Sequence, residues 1–533
     1  MSDLEVVIAL VGVAVVLVRL ADLVAIPYPI VLVVAGVLIG LIPGAPGAEL
    51  PPEVIFLVFL PPLLFSAGQS TSPAELREET GALGGLVIGL SIVTMLAVAA
   101  VAQTMIPWMS WTEALLLGAI VAPTDPVAAI ATFTRVGVPR RVARLVEGES
   151  MVNDATALVL YRVFTIAVVS GSLTLNLAIR ELIIAVIGGV AIGLAIGWIA
   201  VRLQRRLADP ALSILLSVVV AYGAYLTADH IGASGVLSAV TAGLFVGSAS
   251  RVGMDAETRL NGIAFWGTFV LALNVLLFIL LGLKLPSILE AVEKVMTVKQ
   301  MIGYGAIVSF VVIAVRLAWQ FGPVTIGRYF SPALRFDTGD GWRERLIVGW
   351  AGMRGGVSLA AALSLPLVLD SGARFEGREV LIFLTVAVIV ATLILQGLTL
   401  PLLIRRIGLQ EHDGLWEPNE ARVRVAVSEV ALERLNELER ERPEIPEKMI
   451  DRYRKFYDVR RDRWKMALDR ETHPGDDDRN LDYLPEIRRE LISAERAELI
   501  RQRKAGQIDL QLFQEIQREL DLDETRLPPE DDG

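Results

Sequence analysis

Two neighbouring apolar stretches carry polar residues at positions where a lipid bilayer tolerates few, and this feature constrains the fold most. The first stretch contains Ala122-Pro123-Thr124-Asp125-Pro126, and the second contains Glu149-Ser150-Met151-Val152-Asn153-Asp154. If the two are membrane helices joined by the basic turn 135–144, Asp125 and Asp154 both fall near mid-membrane. A carboxylate at that depth costs about 2.5–3.5 kcal/mol even on lenient scales, so we expect both to have a function.

The rest of the sequence indicates a membrane protein with a polar tail. Of the 533 residues, 54% are hydrophobic, and apolar runs recur until the sequence becomes charged after Arg406. We therefore predict an all-α polytopic membrane domain over residues 1–408 and a helical cytoplasmic tail over residues 409–533. The chain has no cysteine, which excludes disulfides, thiolate metal sites and cysteine catalysis. Its net charge of −10 gives no indication of nucleic-acid binding.

Hydropathy predicts about 13 transmembrane helices. Alternate loops are rich in arginine, and the positive-inside rule places those loops and the tail in the cytoplasm and the N-terminus outside the cell. We expect the protein to lie in the cell (inner) membrane. The N-terminus lacks the basic region of a signal peptide, so the first span is expected to be retained. The predicted spans are 4–21, 27–42, 53–69, 82–106, 111–134, 144–170, 177–202, 209–228, 231–249, 259–282, 298–328, 343–369 and 379–405.

The tail is predicted to form amphipathic helices separated by proline-containing and acidic turns. It contains no recognisable catalytic motif, and we expect it to regulate the membrane domain or to stabilise a dimer. The candidate helices are 418–440, 446–469, 483–505 and 507–521.

Two predicted spans are interrupted at corresponding places. If the 13 spans form two halves of six around a central seventh span, span 5 corresponds to span 12. Span 5 contains Pro123 and Pro126, and span 12 contains the glycine-rich segment 352–356. Prolines remove backbone donors and unwind a helix. Unwound backbone at this depth is tolerated only inside protein or beside a wet cavity. Two broken helices in inverted halves are the sequence pattern typical of a transporter site.

Asp154 is the residue best placed to bind an ion. Ser150 and Asp154 are four residues apart and share a helical face. The unwound segment would add the hydroxyl of Thr124, the carboxylate of Asp125 and free carbonyls. One carboxylate can hold a proton and a cation in turn, and that competition is all that an exchanger needs. The alternative for these residues, and the favoured interpretation for Glu149 and Asn153, is a buried polar network that holds helices together.

Arg354 in span 12 needs a partner, because an unpaired guanidinium at mid-membrane is prohibitively costly. Glu149 is our first choice, as a structural ion pair. Arg162 and Arg316 are expected to extend towards lipid headgroups. Ser66 in span 3 is a supporting candidate for the site, whereas we expect Asn274 to make an interhelix hydrogen bond.

These motifs, taken together, resemble those of bacterial sodium/proton exchangers of the cation:proton antiporter superfamily, in the NhaP-like branch related to animal and plant exchangers. The resemblance extends from about residue 10 to residue 406. Any one of the motifs would be weak evidence for the resemblance, but their combination is specific to this family. They are Phe59 to Phe65, Ala122 to Pro126, Glu147 to Ala155, Phe265-Trp266 with Asn274, Gly352 to Gly356, and Gln396-Gly397.

The resemblance implies an NhaA-type fold with two inverted six-helix repeats and two crossing broken helices, assembled as a homodimer. It implies exchange of Na⁺ for H⁺ by elevator-like alternating access. Asn153 before Asp154, in place of a second aspartate, marks the electroneutral branch. The resemblance assigns ion binding to Asp154, Asp125, Thr124 and Ser150, a structural ion pair to Glu149 and Arg354, and supporting positions to Asn153 and Ser66.

Several alternatives remain open from the sequence. K⁺/H⁺ exchange by the same mechanism is the closest, since the sequence does not fix cavity size; Li⁺ is a further possible substrate. Relatives often have acidic residues where this chain has Ser66, Gly267 and Val270. An ion channel and an intramembrane aspartyl protease are less favoured, since no carbonyl filter or paired-acid motif is found. We expect no cofactor and no enzymatic activity; the expected partners are monovalent cations, protons, the lipid bilayer and a second copy.

Overall fold

The computed structural model of the chain consists of helices joined by turns, with one isolated antiparallel bridge between Val368 and Arg374 in the described part. It describes residues 12–13, 15–21, 27–42, 51–71, 83–171, 180–207, 209–322, 341–409, 418–472, 483–504, 516–517 and 520–524. The chain forms two compact units, Met1–Glu411 and His412–Gly533.

The described helices of the first unit are numbered here in chain order. One of them contains a π-helical turn, Ile184–Gly188. The helices are α1 (Tyr28–Gly40), α2 (Pro52–Ser70), α3 (Leu83–Met105), α4 (Trp111–Val121), α5 (Val127–Val136), α6 (Arg140–Ser170), α7 (Arg180–Gln204), α8 (Pro210–His230), α9 (Gly235–Gly253), α10 (Ala256–Glu293), α11 (Val298–Phe321), α12 (Trp342–Trp350), α13 (Gly356–Leu363) and α14 (Arg378–Ile407).

Eight helices of the described part are long and apolar enough to cross a membrane, and four more apolar helices are shorter. The chain is therefore a helical polytopic membrane protein. Half of the predicted span 4–21 lies outside the described residues. The predicted spans 111–134 and 343–369 each contain two short helices separated by an unwound segment.

The sequence explains where the first interruption begins and ends. α4 starts with a capping box, in which the hydroxyl of Ser110 accepts the N–H of Glu113 over 3.3 Å. The helix stops at Val121, two residues before Pro123, which has no N–H with which to continue the helical hydrogen bonds. α5 resumes directly after Pro126. By contrast, α6 is one continuous helix through all of its polar residues.

The helices of the first unit pack as two bundles. The scaffold bundle contains α1, α2, α7, α8, α9 and α10. The site bundle contains α3 to α6 and α11 to α14. The bundles touch mainly where α13 packs on α2 and α10, where α10 packs on α14, and where α6 packs on α9.

Small residues set the spacing inside the scaffold bundle. A Cβ added to Gly36 of α1 would lie 2.8 Å from the Cα of Gly282 in α10. A Cβ added to Gly247 of α9 would lie 2.8 Å from the Cα of Gln69 in α2. Larger residues at these positions would separate the helices, so the scaffold packs in the close manner of small-residue membrane interfaces.

The site bundle repeats one order of elements. A long helix, an interrupted helix and a second long helix occur as α3, α4/α5 and α6, and again as α11, α12/α13 and α14. The interruptions that the sequence predicts in spans 5 and 12 occupy the same place in the two triplets.

The second unit contains a helical hairpin of α15 (Pro418–Glu441) and α16 (Glu447–Thr472). Lys465 pairs with Glu429 at 3.1 Å, and Arg454 pairs with Glu439 at 2.7 Å, which fixes the antiparallel register. A third helix, α17 (Tyr483–Lys504), follows. The predicted helix 507–521 lies mostly outside the described residues.

Candidate functional site

The two interrupted helices meet at their interruptions. The backbone N–H of Asp125 donates to the carbonyl of Met353 over 2.8 Å. The carboxylate of Asp125 accepts the N–H of Val127 over 2.9 Å and the N–H of Gly356 over 3.1 Å. Val127 and Gly356 are the first residues of α5 and α13, so one carboxylate caps the positive ends of two helices.

Glycines in the second interruption make room for charged side chains of other helices. A Cβ on Gly355 would overlap the carboxylate of Asp125. A Cβ on Gly352 would overlap the guanidinium of Arg316. Side-chain atoms at these two positions would displace the polar groups that hold the interruptions together, which explains the glycine-rich sequence there.

Asp154 lies on α6 beside the first interruption. Its carboxylate accepts the backbone N–H of Thr124 over 3.2 Å, and the residue is 8% exposed. Ser150, one helical turn earlier, donates its hydroxyl to the carbonyl of Thr124. Thr124, Asp125, Ser150 and Asp154 therefore lie together.

Asn153 ties α6 to the interruption and to α3. Its amide nitrogen donates to the carbonyl of Ala122 over 2.9 Å and to the hydroxyl of Thr124 over 3.3 Å. Its amide oxygen accepts the hydroxyl of Ser91. Because an ionised carboxylate has no hydrogen to donate, aspartate could not replace asparagine in the first two bonds.

The structure gives Glu149 a different ion-pair partner from the predicted Arg354. Its Oε1 lies 2.7 Å from Nη1 of Arg316 on α11, and the two side chains are 8% and 1% exposed. Nε2 of Gln320, one turn further along α11, lies 3.5 Å from the other carboxylate oxygen. Arg316 does not extend to a lipid headgroup, because its charge is paired inside the site bundle.

Arg354 is stabilised by backbone carbonyls instead. Its Nε donates to the carbonyl of Val121 over 3.0 Å, and its Nη1 donates to the carbonyl of Gly352. Both carbonyls lie where a helix stops, so the helix itself does not use them. The predicted pair assumed that a buried guanidinium needs a carboxylate in contact, whereas the unwound backbone supplies acceptors.

The charges of this buried cluster do not balance. Glu149 and Asp154, which are buried, and Asp125, which is half-buried, carry three negative charges when ionised. The buried Arg316 and Arg354 carry two positive charges. One monovalent cation or one proton therefore neutralises the cluster, and binding both at once leaves it positive. An uncompensated charge of either sign is costly in such a place.

A cavity of about 260 Å³ reaches Asp154 from one end of the bundles. The site bundle contributes Asp125, Ser150 and Asp154 to its wall. The wall from the scaffold bundle includes Ser66 of α2 and Asn274 of α10. Asn274, predicted to make an interhelix hydrogen bond, thus faces the same space as the two aspartates.

The cavity extends towards the beginning of α6. Arg144 and Glu147, which precede Ser150 on this helix, also line it. Ser70 and Thr71, at the end of α2, line it from the scaffold side. Charged and hydroxylated residues at this mouth suit a passage for hydrated ions.

Contacts between the bundles close the other side of Asp154. Tyr161 of α6 stacks against Phe56 of α2 with ring centroids 6.1 Å apart, and Phe56 lies 5.8 Å from Tyr225 of α8. Nη1 of the adjacent Arg162 lies 3.2 Å from Oδ1 of Asp229 on α8. Arg162 therefore links the two bundles instead of extending to a lipid headgroup.

Sequence reasoning did not find the roles of Ser91, Arg316 and Gln320. Their only signal is a polar residue in an apolar helix, and this does not show which neighbour the residue contacts. In the described part of the chain, no three His, Asp or Glu side chains come together as a metal centre would require.

A polytopic helical protein with an acidic site between two interrupted helices belongs to the class of secondary ion transporters. Residues 6–406 match the transmembrane sodium/hydrogen exchanger family. The chain belongs to this family and is a membrane cation:proton antiporter.

Curated relatives cover much or all of the chain. An uncharacterised Na⁺/H⁺ exchanger of Mycobacterium tuberculosis is 30% identical over 529 residues, which cover 98% of this chain and 96% of the relative. The sodium, potassium, lithium and rubidium/H⁺ antiporter of Bacillus subtilis is 31% identical over 388 residues, or 71% of this chain and 58% of that protein. The Na⁺/H⁺ antiporter NhaS2 of Synechocystis is 32% identical over 392 residues, which cover 73% of this chain and 68% of that protein.

The fold is also found among solved structures. The sodium/proton antiporter MjNhaP1 of Methanocaldococcus jannaschii matches with a TM-score of 0.57 at 19% identity. The match covers 76% of this chain and 99% of that one, so the two proteins share a fold.

Proposed function

We propose that this protein exchanges Na⁺ for H⁺ across the cell membrane, one ion for one proton and without net charge transfer, with Li⁺ as a second substrate. The observation that carries the proposal is the charge cluster of two buried carboxylates, the half-buried Asp125 carboxylate and two buried guanidiniums. One added positive charge neutralises it, and that charge can be either a cation or a proton.

Asp154 is the group on which the two ions compete. It lines the cavity and, among the described residues, its carboxylate accepts one hydrogen bond, from Thr124, whereas Asp125 is held by two helix N-termini. The carboxylates of Asp154 and Asp125, the Ser150 hydroxyl and the oxygens of Thr124 supply the oxygen ligands that hard cations prefer. Glu149 with Arg316, and Arg354 with its carbonyls, stabilise the backbone around them.

Alternating access follows from the division into two bundles. All four proposed ion ligands belong to the site bundle, and the scaffold bundle supplies the opposite cavity wall. A movement of the site bundle along the scaffold would close the present mouth and separate Tyr161 and Arg162 from their scaffold contacts. This is an elevator-like motion, in which the ion site travels with its bundle.

The positive-inside rule orients the protein with its N-terminus outside and its tail in the cytoplasm. The cavity mouth adjoins the beginning of α6, which follows the arginine-rich turn 135–144. The described conformation is then open to the cytoplasm. We further propose a homodimer in which the tail regulates exchange or stabilises the assembly.

K⁺/H⁺ exchange is the second candidate. The Bacillus subtilis relative is named for sodium, potassium, lithium and rubidium. In this chain, Ser66 and Val270 line the cavity where the family resemblance leads us to expect acidic residues. A weaker ligand field favours the ion that loses its water more easily, which is K⁺.

Proton flux in sealed proteoliposomes tests the proposal. The purified protein is reconstituted with an internal pH dye, and Na⁺, Li⁺ and K⁺ are added in turn, with and without an imposed voltage. We expect sodium-dependent proton movement that is independent of voltage. Voltage-dependent current without coupled proton movement would identify a channel and contradict the proposal.

Two variants make the assay specific. Asp154→Asn keeps the side-chain shape but cannot titrate, and it should abolish exchange. Asp370→Asn, which changes an exposed carboxylate in a turn, is the matched control and should exchange normally. Exchange retained by Asp154→Asn would remove Asp154 from the mechanism.

A further inference from the structure

A second, larger cavity of about 460 Å³ lies among the helices of the scaffold bundle. It borders the ion cavity, because Ser66 and Ser70 of α2 line both. Its other polar lining residues include Gln204, Ser213 and Thr258. The cavity thus presents hydroxyls and amides, groups that recognise a polar ligand, and nothing in the exchange reaction uses it.

The charge of this cavity favours an anion. Arg259 of α10 lines it, and its Nη1 makes one hydrogen bond of 3.4 Å, to the carbonyl of Met254. Within the described residues Arg259 forms no ion pair closer than 4 Å, and none of the described lining residues is acidic. The exposed Asp255, which accepts the hydroxyl of Thr258 and interacts electrostatically with Arg259, lies outside the lining. A guanidinium among hydroxyls is a donor set that binds phosphate.

The cavity lies at the arginine-rich end of the scaffold. Its walls come from the last turns of α2, α7 and α9 and from the first turns of α8 and α10. Arg205 and Arg206, which follow the last residue of α7, are exposed beside it. Basic pockets between membrane helices at this level bind anionic lipid headgroups.

One wall of the cavity faces outwards. Ile263 of α10 lines the cavity and is 67% exposed, and the neighbouring Leu260 is 59% exposed. Trp266, buried to 4% exposure, and Ile214 provide apolar surface further in. A ligand held here has a polar end among the hydroxyls and an apolar path to the membrane.

We propose that this cavity binds the glycerophosphate headgroup of an anionic membrane lipid. The phosphate lies at Arg259, the glycerol hydroxyls contact Ser213 and Thr258, and the acyl chains leave past Ile263. The same glycerophosphate chemistry also occurs in soluble phosphate esters, so the experiment below separates the two sources.

Native mass spectrometry of the purified full-length protein provides the test, with phosphatidylglycerol, phosphatidylcholine and soluble glycerol 3-phosphate as probes. We expect phosphatidylglycerol to bind at least about tenfold more tightly than phosphatidylcholine, because the choline ammonium offsets the phosphate charge and is repelled by Arg259. Arg259→Gln should lower phosphatidylglycerol binding by about tenfold or more.

A second variant fills the cavity without touching the charge. Gly262 lines it, and a Cβ there meets nothing within 4 Å, so Gly262→Leu should fold and exclude the lipid. The matched controls are Arg202→Gln, at the same end but outside the cavity, and Gly303→Leu on α11, where a Cβ also meets nothing within 4 Å. Both controls should bind phosphatidylglycerol like the parent.

Each outcome decides the proposal. Loss of phosphatidylglycerol binding in Arg259→Gln and Gly262→Leu, but not in the controls, supports a lipid site. Glycerol 3-phosphate binding with the same dependence, in the absence of lipid binding, would overturn the lipid and assign the cavity to a soluble ester. Phosphatidylglycerol binding unchanged in both variants would overturn the site itself.

An effect on transport rests on the proposed exchange function. Because Ser66 and Ser70 belong to both cavity walls, a bound lipid should change the exchange rate of the parent in phosphatidylglycerol liposomes and leave Gly262→Leu unaffected. The binding measurement needs no exchange, so a failure of the exchange proposal and a failure of the lipid proposal are distinguishable.

Discussion

The backbone N–H of Asp125 donates to the carbonyl of Met353 over 2.8 Å, and this bond joins the unwound segments of two interrupted helices. The same residue then uses its carboxylate to cap α5 and α13. The ion site and the helix interruptions therefore depend on each other: the interruptions expose the polar groups, and the carboxylate stabilises the interruptions.

Replacing Gly355 should destabilise this junction. In Gly355→Ala the new methyl group overlaps the Asp125 carboxylate, so the backbone must shift. We expect a loss of about 1–3 kcal/mol, measured as a lower melting temperature in detergent, together with slower exchange. Gly303→Ala, where a Cβ meets nothing within 4 Å, is the control. Equal melting temperatures for the two variants would contradict the packing described here.

The ion pair of Glu149 can be identified by a double-mutant cycle. Breaking a buried pair by removing one partner costs about 3–5 kcal/mol, because the remaining charge is left uncompensated. We expect Arg316→Ala and Glu149→Ala to be strongly coupled in stability, since their charged atoms lie 2.7 Å apart. The cycle of Glu149→Ala with Arg354→Ala should show a smaller coupling. A larger coupling with Arg354 would restore the partner that the sequence predicts.

Asn153→Asp should weaken the contact between α6 and the first interruption. The substitution removes the amide hydrogens donated to Ala122 and Thr124, at a cost of about 1–3 kcal/mol for unsatisfied buried groups. A protonated aspartate can donate once, so the loss should shrink as the pH falls. Thermal stability measured from pH 5 to pH 8 checks this, and a deficit independent of pH would argue against the donor role.

Weakening the bundle contacts that close the far side of Asp154 should make the conformation with the present cavity open less populated. Arg162→Gln removes the ion pair with Asp229 that links the bundles. The chain has no cysteine, so Ser66→Cys gives a single reporter on the cavity wall. We expect a water-soluble maleimide to label this cysteine more slowly in the Arg162→Gln background, because the present cavity is open less often. Arg202→Gln is the control, and unchanged labelling in Arg162→Gln would mean that the pair does not hold the conformation.

The interruptions were predictable because proline and glycine act locally. Pro123 follows the end of α4 and Pro126 precedes the start of α5, and the effect of a proline on a helix does not depend on distant residues. The proximity of Ser150 to Asp154 follows in the same way from helical spacing. Structural features that depend on residues close in sequence were therefore predictable from the sequence.

The partner of Glu149 was not predictable, because it depends on packing between distant helices. Arg316 and Arg354 are both buried cations, and sequence alone does not show which faces α6. The prediction also overlooked that an unwound helix offers carbonyls, which bind Arg354 at Val121 and Gly352. The closed side formed by Tyr161 and Phe56 likewise joins helices from different bundles, for which the sequence has no local signal.

The competition of one sodium ion with one proton at Asp154 is tested most directly by counting protons released on binding. The purified protein, in weakly buffered detergent solution, is titrated with NaCl while sodium binding and proton release are measured together, with choline chloride as the control for ionic strength. We predict one proton released per sodium ion bound in the parent, and neither sodium binding nor proton release in Asp154→Asn. Sodium binding without proton release, or an unchanged stoichiometry in Asp154→Asn, would contradict the mechanism.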